Sequence, residues 1–312
     1  MDEFIWSQKY RPKKVSETIL PDRIKKVFQG YVDADQIPNL ILFGPPGVGK
    51  TTVAIAMCEE LQINYLKINA SSERGIDTLR MRVVSYASTM SFTGKPKVII
   101  LDEADALTNE AQDALKGVIE EFSHNTTFIL TCNHKARLNE AIHSRTSHVD
   151  FRLQSTEKPG IASELFKRLR EILTAENVKF EDEILVKIIN KYFPDFRRTL
   201  NELQTLSRTG DIDASVLSKL SDIKNIKELM KNLKDKDFTQ MRKWVVVNMD
   251  NDPNAIFRKI YDAFYSYLEP ASIPSAVIIL AKYEYQSAFA VDPEINLVAC
   301  LTELMIDCQI KD

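Results

Sequence analysis

The chain has 312 residues, 44% of them hydrophobic and 27% charged, which suits a globular protein of two or three domains. Its net charge of −3 excludes a general attraction to nucleic acid, so any such contact must rest on a local basic surface. Cys58, Cys132, Cys300 and Cys308 are scattered, without a C-x-x-C pair or a zinc-like spacing to the four histidines, and are expected as buried free thiols. No run is long and apolar enough to span a membrane. The start, Met1-Asp2-Glu3-Phe4-Ile5-Trp6, lacks the basic segment and apolar run of a signal peptide, so a cytoplasmic location is expected.

In chain order, the first strongly patterned element is Asn39-Leu40-Ile41-Leu42-Phe43, an apolar run suited to a buried strand. It leads into Gly44-Pro45-Pro46-Gly47-Val48-Gly49-Lys50-Thr51, which fills every fixed position of G-x-x-x-x-G-K-[ST], and then into a helix-like stretch from Thr52 to Leu61. Strand, loop and helix in this order turn backbone N–H groups and the positive helix end toward phosphate oxygens. Lys50 adds a point charge and the Thr51 hydroxyl a Mg²⁺ ligand. A glycine-rich turn between core elements is the alternative reading, and the complete motif in its proper context outweighs it. ATP and Mg²⁺ are therefore the expected cofactors, with Thr52 completing the loop's contact set.

Tyr65 to Ile68 reads as a second strand, and Ile76 to Met90 as a helix whose stripe of Leu79, Val83, Ala87 and Met90 leaves Arg80 off its centre. Val98-Ile99-Ile100-Leu101 is a third, wholly apolar strand ending in Asp102-Glu103-Ala104-Asp105. Ligands of open α/β sheets bind beyond the carboxyl ends of the strands, so Asp102 is placed to hold Mg²⁺ and Glu103 to polarise an attacking water. An acidic turn before a helix is the alternative. The same four letters also occur in a helicase family, but no second set of helicase-type motifs accompanies them.

From Asn109 to Phe122 a further helix sets Ala111, Leu115, Val118 and Phe122 toward the core, with Gln112 and Lys116 sharing another face at i and i+4. Thr127 to Thr131 is a fourth strand, followed by Asn133, and Ser147, Val149, Phe151 and Leu153 alternate with polar residues as a fifth. The first 153 residues thus read as an α/β domain with a parallel sheet. Residues 154–225, with Ile161, Leu165, Leu169 and Leu173 at helical spacing, read as a small helical domain. All nine glycines lie at or before Gly210, so 226–312 is expected to be all helical, with Pro253, Pro270, Pro274 and Pro293 at its connections.

The phosphate loop, Asp102-Glu103-Ala104-Asp105, Thr131-Cys132-Asn133, Ser144-Arg145-Thr146 and Pro194-Asp195-Phe196-Arg197-Arg198 resemble, in order and spacing, AAA+ ATPases of the clamp-loader group. Gln8-Lys9-Tyr10-Arg11-Pro12 and Glu73-Arg74-Gly75-Ile76-Asp77 look like small subunits of replication factor C. Tyr192 to Arg197 and Thr18-Ile19-Leu20-Pro21 are similar to the clamp-loader ATPase subunit of T-even-type bacteriophages, which for a viral chain makes the host cytoplasm the expected location. The likeness spans residues 5 to about 210.

The resemblance implies an AAA+ domain, a helical lid and an oligomerising collar. It gives Asn133 the part of a sensor, Arg197 that of a lid arginine acting on its own subunit's nucleotide, and Arg145 that of an arginine finger reaching a neighbour's nucleotide. Thr146 stands where the family has cysteine. Tyr10, Arg11, Pro12, Ile19 and Leu20 look like the segment over the adenine ring. The partners implied are a sliding clamp, primer–template DNA and other loader subunits in a pentameric ring or spiral. Arg80, Gln112 and Lys116 would face duplex phosphates on the inside of that spiral, a solvated helix face being the alternative. Met90 and Phe92, in Ser88-Thr89-Met90-Ser91-Phe92-Thr93-Gly94, are the candidate clamp anchors, or else caps of the core. A helicase loader and a non-hydrolysing scaffold subunit are the rival readings.

Overall fold

A computed structural model describes residues 4–72, 76–89, 94–208, 210–213, 226–249 and 251–311. The chain divides into two compact units, Met1–Leu217 and Ser218–Asp312.

The first unit is built on five parallel strands, β1 (Leu40–Phe43), β2 (Tyr65–Asn69), β3 (Lys97–Asp102), β4 (Thr126–Cys132) and β5 (Ser147–Asp150), in the order β2-β3-β4-β1-β5. β1, β3 and β4 are buried at nearly every position because both faces of the sheet are covered. Ile41, Ile99 and Phe128 point into one core, and Leu40, Leu42 and Ile100 into the other. The fifth strand stops at Asp150 and does not run on to Leu153. Phe151 still donates its N–H to Phe43 O at 2.8 Å, but the Arg152 N–H turns back to Asp150 Oδ1 at 2.9 Å and ends the extended run.

The helices around the sheet are α1 (Trp6–Lys9), α2 (Asp22–Asp33), α3 (Lys50–Glu60), α4 (Ile76–Ser88), α5 (Asn109–Glu121) and α6 (Glu140–His143). Thr108 caps α5 by accepting the Ala111 N–H at 3.3 Å, and Asn139 caps α6 by accepting that of Ile142 at 3.0 Å. Lys97 is a buried cation with a specific use. Its Nζ donates to Tyr86 O, Ala87 O and Thr89 O, carbonyls at the end of α4 and just beyond it, and burial lowers its pKa.

Three more helices, α7 (Lys158–Ala175), α8 (Asp182–Tyr192) and α9 (Phe196–Ser207), complete this unit. Arg23 fastens the link into α7, donating to Asp150 O at 2.9 Å, Arg152 O at 2.8 Å and Glu157 Oε1 at 2.8 Å. The N-terminal segment is tied to the same helices. Gln204 accepts the Trp6 N–H at 3.0 Å, and Glu176 Oε1 accepts from both Lys9 Nζ at 2.7 Å and Tyr10 Oη at 2.5 Å.

The described residues of the second unit form helices α10 (Ile226–Lys234), α11 (Phe238–Asn248), α12 (Pro253–Tyr267), α13 (Ile273–Ser287) and α14 (Pro293–Asp307) around an apolar core that includes Trp244, Phe257, Phe264 and Leu301, with one isolated bridge between Leu268 and Ile310. Pro253 and Pro293 open α12 and α14, and Pro274 lies in the first turn of α13, positions where proline's missing N–H costs nothing. All four cysteines are free and buried, and no described helix is long and apolar enough to cross a membrane.

Candidate nucleotide site

β4 lies between β1 and β3, so the loop after β1 and the carboxylate ending β3 meet across the end of β4. The Gly44 N–H donates to Cys132 O at 3.3 Å, joining the first two of these ends. Gly47 and Gly49 have φ of +74° and +92°, which lets the loop fold over the start of α3. Glycine at 47 is needed on a second ground: a Cβ there would meet Asp195 Oδ1 at 1.8 Å. Asp195 caps α9, accepting the Arg198 N–H at 2.9 Å, and the Phe196 N–H donates to Gly47 O at 3.1 Å. The last helix of the unit therefore rests directly on the loop.

Lys50 is 8% exposed. Its Nζ donates to Gly44 O at 2.6 Å, Pro45 O at 2.7 Å and Asn133 Oδ1 at 3.1 Å, while burial lowers its pKa. Asp102 Oδ1 accepts from the Thr51 and Thr131 hydroxyls, both at 2.6 Å, and Oδ2 faces Lys67 Nζ at 2.9 Å. Burial alone would raise the carboxyl pKa, but these three donors outweigh it and hold Asp102 below its ordinary range. Thr51 and Asp102 offer two hard oxygen donors side by side. That set fits Mg²⁺, which keeps several waters and takes its remaining ligands from phosphates. Among the described residues no group of three or more His, Cys, Asp or Glu is placed to hold a metal.

Glu103 follows with φ of +58°, a left-handed conformation rare for a residue with a side chain. Its N–H donates to Thr131 Oγ1 at 3.2 Å, and its exposed carboxylate has no hydrogen bond or ion pair with a described residue. The strain aims an unspent carboxylate into the cavity instead of along the sheet. Asp105 Oδ2 accepts the N–H groups of Asn133 and His134, both at 3.1 Å, and so fixes the end of β4. Burial pushes the Cys132 thiol up to about 12, which leaves it neutral beside Lys50.

These groups line a cavity of about 450 Å³. Tyr10, Arg11, Pro12, Ile19 and Leu20 form one wall, and Leu165, Leu169 and Ile172 of α7 add apolar surface. The volume and the mixed lining suit a small ligand with one flat apolar part and one charged part. Pro46, Gly47, Gly49 and Thr52 also line it, whereas Gly44 and Pro45 do not and Val48 is buried in the core. Arg197, in the first turn of α9, faces the same cavity and forms no ion pair with a described residue.

Arg145 does not line this cavity. It lies between α6 and β5, where Nε donates to Glu120 Oε1 at 2.8 Å and Nη1 to Ala141 O at 2.7 Å, with Nη2 also on Glu120. The Thr146 hydroxyl donates to Ile142 O at 2.9 Å, so this residue finds a carbonyl partner within α6. Of the residues expected to face DNA, Arg80 is exposed and Lys116 half-buried. Gln112 is a correction. It is 1% exposed, donates to Leu107 O at 3.2 Å and Arg137 O at 3.0 Å, and accepts the Asn139 N–H at 2.7 Å. Its side chain is consumed in joining two segments, the one before α5 and the one before α6, and cannot also reach a phosphate. Met90 and Phe92 lie outside the described residues.

Comparison with known proteins agrees with this geometry. The model of the ATPase family associated with various cellular activities matches residues 40–156, and that of the sliding-clamp-loader large subunit AAA+ ATPase lid domain matches 157–218. The sliding-clamp-loader large subunit of Enterobacteria phage T4 is 32% identical over 314 residues, 99% of this chain and 98% of that protein. The replication factor C small subunit of Archaeoglobus fulgidus is 39% identical over 229 residues, 71% of this chain and 70% of that protein. Among solved structures, a variant of RuvB from Thermotoga maritima superposes with a TM-score of 0.56 at 18% identity, covering 95% of this chain and 90% of that one, which shows a shared fold alone. With a phosphate loop, a strand-end carboxylate pair and full-length similarity in agreement, the chain belongs to the AAA+ ATPase subunits of sliding-clamp loaders, the family of replication factor C small subunits and phage clamp-loader large subunits.

Proposed function

We propose that this chain is a motor subunit that uses ATP binding to open a sliding clamp and ATP hydrolysis, triggered by primer–template DNA, to release it. The observation that carries the reading is the cavity in which Lys50, Thr51, Asp102, Asn133 and the unspent Glu103 converge. The loop N–H groups and Lys50 hold the phosphates, and Thr51 and Asp102 hold Mg²⁺, which when bound neutralises charge on the transferring group. Glu103 takes a proton from the attacking water and Asn133 orients it. Arg197 contacts nucleotide on its own subunit, while Arg145, which lies away from its own cavity, serves the next subunit's site.

The division proposed is an AAA+ domain over 1–153, a lid over 154–225 and a collar over 226–312. Exposed Tyr285, Phe289, Val291 and Ile295 on the last of these supply apolar surface for contact between subunits. Arg80 and Lys116 would meet the duplex backbone, and Met90 and Phe92 the clamp, in the cytoplasm or, for a viral chain, the host's. The test is ATP turnover by the purified complex with and without a sliding clamp and primed DNA. Turnover should rise with both together. A rate indifferent to clamp and DNA would favour another AAA+ replication ATPase, such as a helicase loader, and absence of turnover would favour a scaffold subunit.

A further inference from the structure

β2 is the edge strand of the sheet, and no motif touches its Lys67. Asn69 pairs in register with Asp102, and Lys67 with Ile100. Alternate residues of a strand share a face, so Lys67, Asn69 and Asp102 all project from one side of the sheet, the side of the phosphate loop. From there Lys67 Nζ reaches along the strand direction to Asp102 Oδ2 at 2.9 Å and lines the nucleotide cavity. The pair is unequal: the Lys67 side chain is 36% exposed and that of Asp102 only 13%. The lysine can swing out into water, whereas the carboxylate is held from its other oxygen by two hydroxyls at 2.6 Å.

We propose that Lys67 is a built-in counter-cation that a divalent ion must displace from Asp102, so that metal binding becomes conditional on nucleotide. Asp102 has one oxygen facing Thr51 and Thr131 and the other facing Lys67, so a metal approaching the carboxylate through Oδ2 meets the ammonium already there. A divalent cation entering beside Thr51 would stand within a few ångströms of that ammonium and be repelled by it. Triphosphate removes the conflict. Its oxygens supply the metal's remaining ligands and offer Lys67 a new anionic partner, so nucleotide and metal enter together and metal alone is kept out. Lys50 is not the counter-cation of Asp102, because its Nζ is directed at Gly44 O, Pro45 O and Asn133. Lys67 is thus a positioning residue for the metal, acting through Asp102.

This inference rests on the nucleotide reading of the cavity, and its test needs neither nucleotide nor turnover. Mn²⁺, a paramagnetic probe for a Mg²⁺ site, is titrated into the nucleotide-free full-length chain and followed by electron paramagnetic resonance. Lys67→Gln should bind Mn²⁺ about tenfold more tightly than the unaltered chain, the scale of removing one like charge at close range near a surface. Lys67→Met should do the same, and Lys67→Arg, which keeps the charge, should not. Adding Asp102→Asn to Lys67→Gln should abolish the gain and so place it at this carboxylate. Equal Mn²⁺ affinity in the unaltered chain and both neutral variants would overturn the proposal, as would a gain that survives Asp102→Asn. Failure of the nucleotide reading would show separately, as absence of ATP binding in any variant.

Discussion

The two compact units spend their polar atoms differently. In the first, Lys50, Asp102, Asn133 and Thr131 converge where three strands end, and Glu103 and Arg197 stand in the same cavity without an ion-pair partner among the described residues. In the second, the core is mostly Leu, Ile, Phe, Met and Trp; the buried Asn248 turns its amide back to Trp244 O at 2.8 Å within its own helix, and only the Nδ2 of Asn232 is buried without a partner among the described residues of this unit. Buried polar groups that satisfy one another stabilise a fold. Groups held in place but left unspent are what a ligand can use. The converging polar groups that chemistry needs therefore lie in the first unit, and the second unit is mainly an apolar core.

The largest expected effects separate the two units along this line. Glu103→Gln keeps the shape of the side chain and removes the base, so turnover should fall by about 10²-fold or more while ATP still binds and melting is unchanged. Phe264→Ala, at a core position only 1% exposed, should do the reverse. It should destabilise the C-terminal unit by about 3–5 kcal/mol, seen in its melting transition, with ATP affinity per folded subunit unaltered. Normal turnover in the first variant, or weakened ATP binding in the second, would break the comparison.

A smaller effect sharpens it. Asp195 and Asp292 do the same local job, capping α9 through the Arg198 N–H at 2.9 Å and α14 through the Glu294 N–H at 2.8 Å. Replacing either by alanine should cost about 1 kcal/mol of stability. Only Asp195 also packs on Gly47 of the phosphate loop, so Asp195→Ala alone should weaken ATP binding as well. Paired thermal melts and nucleotide titrations measure both quantities, and equal ATP affinity in the two variants would show that the α9 contact does not matter to the site.

The sequence made legible whatever repeats a short-range rule. Four apolar runs and one alternating run marked the five strands, and the phosphate loop and Asp102 stood at strand ends where ligands bind. What it did not reveal depends on long-range neighbours. Gln112 read as surface because its helix has an apolar stripe elsewhere, yet Leu107, Arg137 and Asn139 needed a polar partner from beneath. Lys67 lies inside the run from Tyr65 to Ile68 that reads as a strand, and nothing in that run singles it out. Only the register of Asn69 with Asp102 places it beside the carboxylate that ends β3, although a lysine two residues before the end of β2 was a usable signal. Glu120 was likewise invisible as the partner of Arg145, since α5 and the segment before β5 meet only in three dimensions.

The central claim is that hydrolysis is shared between neighbouring subunits, with the loop of one and Arg145 of the next forming a single site. Arg145 lies outside its own cavity, held by Glu120 and Ala141, a location consistent with action across a boundary. The direct measurement is ATPase activity of Lys50→Ala and Arg145→Ala subunits, each inactive alone, after mixing and demonstrated co-assembly. Shared sites predict partial recovery, greatest near equal proportions, because some boundaries then pair an intact loop with an intact arginine. No recovery at any ratio in co-assembled complexes would show that Arg145 serves its own subunit and would contradict the account.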